Sequence, residues 1–443
     1  MIDQNIKFAG DYELIDVKVG SARGLIVDVY NFVVEINLYE DLSSSTISGN
    51  LTLNDAQDLI NLMPFIGEEK LLLSFKSPSM SDKTGLINQA FYIYKMTDRE
   101  YTAERAVQYT LHFVSFEAVI DLNNKISRGF EGKNNDVVTS ILKNYTKTEK
   151  LLDIEETRNT IKYVSNFWTP FTNLNFIAKR SISKQTGSAN FMFYENTDGY
   201  HFRSIDSLLE ADSKTRYIYD NNTRDPGSGG GSSIRDIRET LSRIESYTID
   251  TAYDYMSRIQ NGMYKSKLIM HDMLTKAYSI QTVEYTKEFE KHNHLNPYPQ
   301  STEGLPAKTA AFLDTKIRAL EGFDNFKSDG MKSWYLRYIM QQSEINSFTM
   351  EITIPGRSDL AVGDIIDVYI YRTTPFRSTD TEEELIDKTF SGRYLISSLC
   401  HNLDREKHTM ILTVIKDSLI IDLTKEGTRW YFTAVLLRIA SIH

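Results

Sequence analysis

Three groups of residues have the type and spacing to do chemistry. His292 and His294 lie two positions apart with His271 upstream, and imidazoles so placed are zinc-ligand material. A structural zinc site wants four converging Cys or His ligands. The chain has one cysteine, Cys400, and the histidine pair sits in a polar, proline-bearing stretch over 291–307, so both are expected as solvated loop residues. Asp380, Glu382, Glu383 and Glu384 crowd together. A glycosidase holds two carboxylates ~5–10 Å apart with separated pKa values, whereas a run of acids in a loop is expected to be a solvated face. Cys400 and His401 are adjacent on a strand-like segment, which points them to opposite faces and spoils a nucleophile–base pair. Gly227–Ser232 is glycine-rich but lacks the Gly-Lys-Ser/Thr ending of a phosphate loop and the final glycine of the dinucleotide fingerprint. Gly129–Lys133 fails the same test, because Asn134 stands where Ser or Thr is needed. No Gly-x-Ser-x-Gly elbow is present. The expectation is a chain with no catalytic residue, no cofactor and no metal.

Composition narrows the class further. At 443 residues and 41% hydrophobic content the chain can bury several cores, and its length points to two to four domains. The formal net charge of −10 argues against non-specific grip on nucleic acid, which needs clustered Lys and Arg, although DNA could slide past such a surface. A single cysteine permits no intrachain disulfide and suits assembly in a reducing cytoplasm. Met1–Asn5 does not begin a signal peptide, and no stretch approaches the ~20 apolar residues of a membrane span. Tyr (26) and Phe (22) abound while Pro (9) is scarce, which favours strands and large contact surfaces.

The elements that would carry these residues are mostly strands. Val34–Leu38 and Ile47–Leu53 alternate apolar and polar residues. Asn54 is placed to cap a short helix, Asp55–Met63, ended by Pro64 and Gly67. Strands are expected at Leu71–Phe75, Phe91–Met96 and Val107–Phe113, the last two bracketing a charged turn, Thr97–Arg105, in a closed or half-closed antiparallel barrel. After residue 118 helical stripes emerge over Asn135–Tyr145 and Phe171–Arg180, followed by a hairpin of Asn190–Tyr194 and Tyr200–Ile205 turned by Asp198-Gly199. Asn221–Ser233 is expected as a flexible loop, 243–285 as strand-like runs, 291–307 as a long loop and Trp334–Ile345 as a helix. Strands return at Phe348–Ile354, Ile365–Ile370, Tyr394–Leu399 and Thr409–Val414, with Gly363-Asp364 turning into the second of these.

In this order the parts resemble the central hub proteins of T-even-like contractile-tailed bacteriophages, whose module also forms the N-terminal part of type VI secretion VgrG spike proteins. Four stretches carry the resemblance: Ile47–Asp55 with Leu62–Leu71; Ile126–Phe130 and the helix after it; Tyr163–Arg180 with Phe191–Phe193 and Gly199–Phe202; and Leu360–Ile366 with Ser391–Ile396. The long 221–233 and 291–330 segments and the tail after Leu419 depart from a minimal hub.

The resemblance implies a β-rich α+β chain, with two small antiparallel β-barrel domains flanking an α+β middle domain, assembled into a ring. The spans would be 1–118 for the first barrel, 119–220 for the middle domain, 221–242 for a Gly/Ser-rich loop, and 243–290 with 346–418 for the second barrel. Residues 291–345 would be an inserted segment and 419–443 a docking segment. It implies a homotrimer adapting a sixfold tail tube to a threefold spike, in a virion baseplate assembled in the host cytoplasm. Partners would be further copies of the chain, the central spike, the tube or its initiator, and other baseplate subunits, with DNA only as passing cargo and no stable membrane contact. Gly67, Gly363, Asp364 and Gly392 are the expected structural turns, and apolar Trp430, Tyr431, Phe432 and Leu436 the candidate partner-binding residues. Two rivals remain: the hub of a non-phage injection machine, separable by neighbouring genes, and a carbohydrate-active β protein, separable by turnover that one carboxylate abolishes.

Overall fold

The computed structural model describes residues 9–21, 23–63, 65–77, 85–103, 106–219, 240–272, 278–301, 309–316, 330–372 and 382–423. The period-two patterns become strands, and their apolar faces meet in separate cores. In the first module β1 (Glu13–Gly20), β2 (Ile26–Asp28), β3 (Val33–Asp41), β4 (Ser48–Asp55), β5 (Glu69–Lys76), β6 (Leu86–Ala103) and β7 (Ala106–Ser115) form one sheet in the order β3-β4-β7-β6-β5-β1-β2. Val17, Leu38, Leu51, Phe75, Phe91 and Phe113 fill its core. Gly49 is needed where β4 passes this core, because a Cβ there would sit 2.3 Å from both the Phe113 ring and the Asn37 carbonyl.

The middle region follows. Here β8 (Ile126–Lys133), β9 (Leu151–Ile154), β10 (Thr160–Trp168), β11 (Phe191–Asn196) and β12 (Gly199–Ser204) make two small sheets, β10-β8 and β11-β12-β9. Helices Asn134–Ile141 and Pro170–Ala178 pack on them through Val138, Ile141, Leu174 and Ile177. Thr169 caps the second helix, its hydroxyl accepting from Thr172 N–H.

The second module is discontinuous in sequence. After β13 (Ser213–Tyr219) and β14 (Ser246–Ala252) comes a separate three-stranded sheet, β16-β15-β18, built from β15 (Lys265–Asp272), β16 (Tyr278–Glu284) and β18 (Thr309–Lys316). The short β17 (Tyr298–Pro299) lies between its strands in sequence, and the helix Gly330–Ile345 packs on it through Leu336 and Met340. Then β19 (Phe348–Pro355), β20 (Ile365–Ile370), β21 (Gly392–Asp404) and β22 (His408–Ile415) complete the module, and β23 (Ser418–Leu419) pairs with β17. Strand β13, inside the span expected as the middle domain, is laddered to β20.

Renumbered within each module with β2 left aside, the six main strands have the same order. Both β3-β4-β7-β6-β5-β1 and β14-β19-β22-β21-β20-β13 read 2-3-6-5-4-1. The first five are antiparallel throughout in both. The last differs: β1 runs antiparallel to β5, while β13 runs parallel to β20.

Four expectations need correcting. No closed barrel forms among the described residues; the two modules are open and share one 13-stranded sheet. The charged Thr97–Arg105 turn is largely strand, since β6 runs on to Ala103 with both faces in water there. The helix expected from Asp55 is only Leu59–Leu62, because Asp55 stays in β4 and its carboxylate accepts from Leu59 N–H (2.7 Å). The stretch expected as a solvated loop around His292 and His294 is packed against the middle region and the second module.

Candidate assembly site

The two modules meet along β21. Its first part pairs with β20, and its second part, Ser398–Asp404, pairs with β3 of the first module. Leu403 therefore belongs by chain order to the second module but is fully buried in the core of the first. The junction is tightened from the N-terminal side, where His408 N–H donates to the Gly10 carbonyl (2.8 Å) and Tyr12 Oη donates to the Asp404 carbonyl (2.5 Å).

Behind this seam a buried carboxylate ties all three regions together. Glu40 follows Ile36 and Leu38 on the inward face of β3. Its Oε1 accepts from Thr197 N–H (3.0 Å) in the β11–β12 turn, and its Oε2 accepts from Val362 N–H (3.1 Å) in the turn before β20. Burial pushes this carboxyl up to about 8, against the two backbone donors. A second link lies at Glu195, which shares the inward face of β11 with Phe191 and Phe193. It accepts from Ile47 N–H (2.9 Å) and pairs with Lys150, which also reaches Glu117 (2.9 Å). Burial holds Glu195 above the usual carboxylate range although Lys150 pulls the other way. Removing one partner of such a triad would leave a buried charge uncompensated.

The expected turns lie around this junction. Gly363 has φ +94°, and a Cβ there would lie 2.6 Å from Tyr194 Oη, so its turn fits closely against the middle region. Asp364 Oδ2 accepts from Ala361 N–H (2.8 Å) and pairs with Lys214 (2.7 Å), while burial raises its pKa. Gly392 (φ +136°) opens β21, with Asn296 Oδ1 2.6 Å from where a Cβ would be. Gly67 (φ +88°) leads into β5 beside Tyr94, where Glu69 accepts from Ile66 and Gly67 N–H. Trp430, Tyr431, Phe432 and Leu436 lie outside the described residues, as do Gly227–Ser232, Asp380 and the side chains of His271, Glu382 and Glu383.

The paired histidines are half-buried residues whose side chains are largely covered rather than solvated. His292 Nδ1 meets Asp206 Oδ2 at 2.9 Å. His294 stacks on Phe289 (3.7 Å between ring centroids), with Nδ1 2.7 Å from Asp417 Oδ2 and 3.6 Å from Glu344 Oε1. His294, Glu344 and Asp417 are the three groups among the described residues that could hold a metal ion, their ligand atoms lying within 4.8 Å of one another. Both ring nitrogens of His294 are already engaged, Nε2 with the Phe289 carbonyl (2.8 Å), so the arrangement works as an ion pair without a metal. Burial disfavours the His294 proton, but the Asp417 hydrogen bond and the two carboxylates raise its pKa to about 9. Cys400 and His401 do point apart. The thiol faces Asn37 Oδ1 and is pushed up to about 12 by burial, while His401 is buried against Phe75.

Sequence reasoning passed over Glu40, Glu195, Lys150 and Glu117. For Glu40 a signal existed, since it continues the inward alternation of β3; Glu195 lies past the strand expected to end at Tyr194, where no alternation marks it.

No protein-family model matches the chain. It is 20% identical over 411 residues to the probable baseplate hub protein gp334 of Vibrio phage KVP40, a match covering 89% of this chain and 93% of that one. Among solved structures, the 43 kDa tail protein of prophage MuSo2 from Shewanella oneidensis aligns with TM-score 0.55 at 9% identity, covering 92% of this chain and 100% of that one. The tail protein from Neisseria meningitidis MC58 aligns with TM-score 0.53 at 10% identity, covering 92% and 97%. At such identities the structural likeness speaks for the fold alone. By sequence over nearly its whole length the chain is similar to a probable phage baseplate hub protein, and its fold is that of phage tail proteins.

Proposed function

We infer that the chain is the central hub of a contractile-tail baseplate, a homotrimer that seats the sixfold tail tube on one side and the threefold spike on the other. The observation that carries this reading is the repeated 2-3-6-5-4-1 strand order. Three chains with two such modules each make six similar modules around one axis. Heterologous contacts close such a ring, and an internal repeat doubles its apparent order. The buried Glu40 and Glu195 links suit this role, because a sixfold face needs the two modules of each chain held at one fixed angle. The centre of the ring would pass tape measure and DNA. The spike would dock on the middle region and the C-terminal segment, and other baseplate subunits around the rim. The particle would assemble in the bacterial cytoplasm and remain in the virion. Among the described residues no helix is long and apolar enough to cross a membrane.

Light scattering on the purified chain, alone and mixed with its spike, tests the reading. The expected mass is three copies, either alone or once the spike is added. A monomer or dimer under every condition overturns it.

A further inference from the structure

Strand β21 changes partners along its length. Gly392–Leu395 pairs with β20, a bulge follows at Ser397, and from Ser398 to Asp404 the edge that β20 has left is taken by β3 in antiparallel pairing. Strand β6 holds the same place in the first module. Leu86–Ile93 pairs with β5, and a bulge follows at Tyr94. From Lys95 to Ala103 one edge stays laddered to β7, while among the described residues no strand lies on the other. Tyr94 and Tyr101 are 52% and 73% exposed on this arm. The counterpart of β3 in the second module is β14, second in the shared order, and its edge away from β19 likewise carries no strand among the described residues. One chain therefore joins strand five of its second module to strand two of its first, and leaves strand five of the first and strand two of the second open.

We propose that β6 of one copy pairs antiparallel with β14 of the next, repeating between chains the β21–β3 seam found within each. The proposal rests on the trimeric reading and specifies its interface. An open sheet edge presents unpaired N–H and C=O groups, and strand addition satisfies them. The contact is heterologous, as a closed ring of three requires.

Equivalent rows across the two sheets set the register. Asn37, Asn50, His112 and Lys95 line up across the first module, and Thr248, Glu351, Thr413 and Ser398 across the second. Lys95 thus corresponds to Ser398, and each comes directly after the bulge in its strand. Ser398 faces Asp41, the last residue of β3. Lys95 is accordingly placed opposite Ala252, the last residue of β14, with Tyr101 near Ser246. Asp98, at φ +55°, bulges the open stretch and divides the new ladder into two short runs.

Cysteine pairs in the full chain test this. Met96→Cys is combined in turn with Asp250→Cys, Thr251→Cys and Ala252→Cys, then oxidised and run on non-reducing gels. Covalent dimers and trimers are expected from at least one pair and from none of the single variants. A single variant that cross-links to itself would mean like edges pairing, and overturns the proposal. A trimer by mass that no pair cross-links also overturns it, while leaving the trimeric reading in place. A monomer under every condition overturns both. Should the variants misfold, hydrogen exchange on the unmodified trimer decides: amides of Ser246–Ala252 are expected to be protected, and exchange at the rate of a free edge strand overturns the pairing.

Discussion

His401 and His408 face each other from β21 and β22, with His401 Nδ1 and His408 Nε2 3.0 Å apart and both rings fully buried against Phe75. His401 Nε2 and His408 Nδ1 have no hydrogen-bond partner in the described structure. Burial drives His401 down to about 4, and burial together with its neighbour drives His408 well down too. Both are therefore neutral when folded and take up protons on unfolding once the pH falls below the unfolded value of ~6.5. Their contribution to stability is whole above that value and is lost as the pH drops towards 4, amounting to at least about 2 kcal/mol. Denaturant midpoints measured from pH 7.5 to 4 should fall steeply below 6.5, and His408→Leu should flatten that slope; an equal slope in the variant would discard the idea. Other residues were readable to different depths. Glu40 was visible as the next inward position after the alternating Val34–Leu38, whereas Glu195, beyond the expected strand end at Tyr194, was not, and neither was the burial of His292 and His294. Their carboxylate partners, Asp206 and Asp417, lie 86 and 123 residues away in the chain, beyond the reach of any local pattern.

At the scale of elements, strands with one buried face were legible because burial imposes the period of two: Phe348–Pro355, Ile365–Ile370 and His408–Ile415 lie within two residues of where alternation put them. The far half of β6 was not, since neither of its faces is buried and its charged residues obey no period. Nor could alternation show that β21 serves two modules, because pairing with β3 is a matter of long-range topology. That sharing has an energetic consequence. Leu403 is fully buried in the first core, so Leu403→Ala should cost about 2–4 kcal/mol and loosen the first module more than the second. Hydrogen exchange would report it as faster exchange at Leu51 and Leu111 than at Ile352 and Leu412; the reverse ranking would mean that the seam contributes little to the first module.

At the scale of the molecule, two open modules are joined by one strand and braced by buried carboxyl groups, and what the proposed hub would hold depends on surfaces outside that frame. The C-terminal segment is the natural place to look. The described residues end at Leu423, after β23 has closed on β17, and the ladders found among them are made without residues 424–443. That segment nevertheless contains Trp430–Leu437, an apolar run flanked by Arg429 and Arg438, which in water would be an aggregation liability unless covered. Deleting 424–443 is therefore expected to leave the melting temperature within about 2 °C of the full chain while weakening capture of the spike at least about tenfold. A large drop in melting temperature would place the run on the chain's own core instead, and undiminished capture would move spike recognition to the middle region. The two readouts separate folding from docking because the deletion removes no strand of the described sheets.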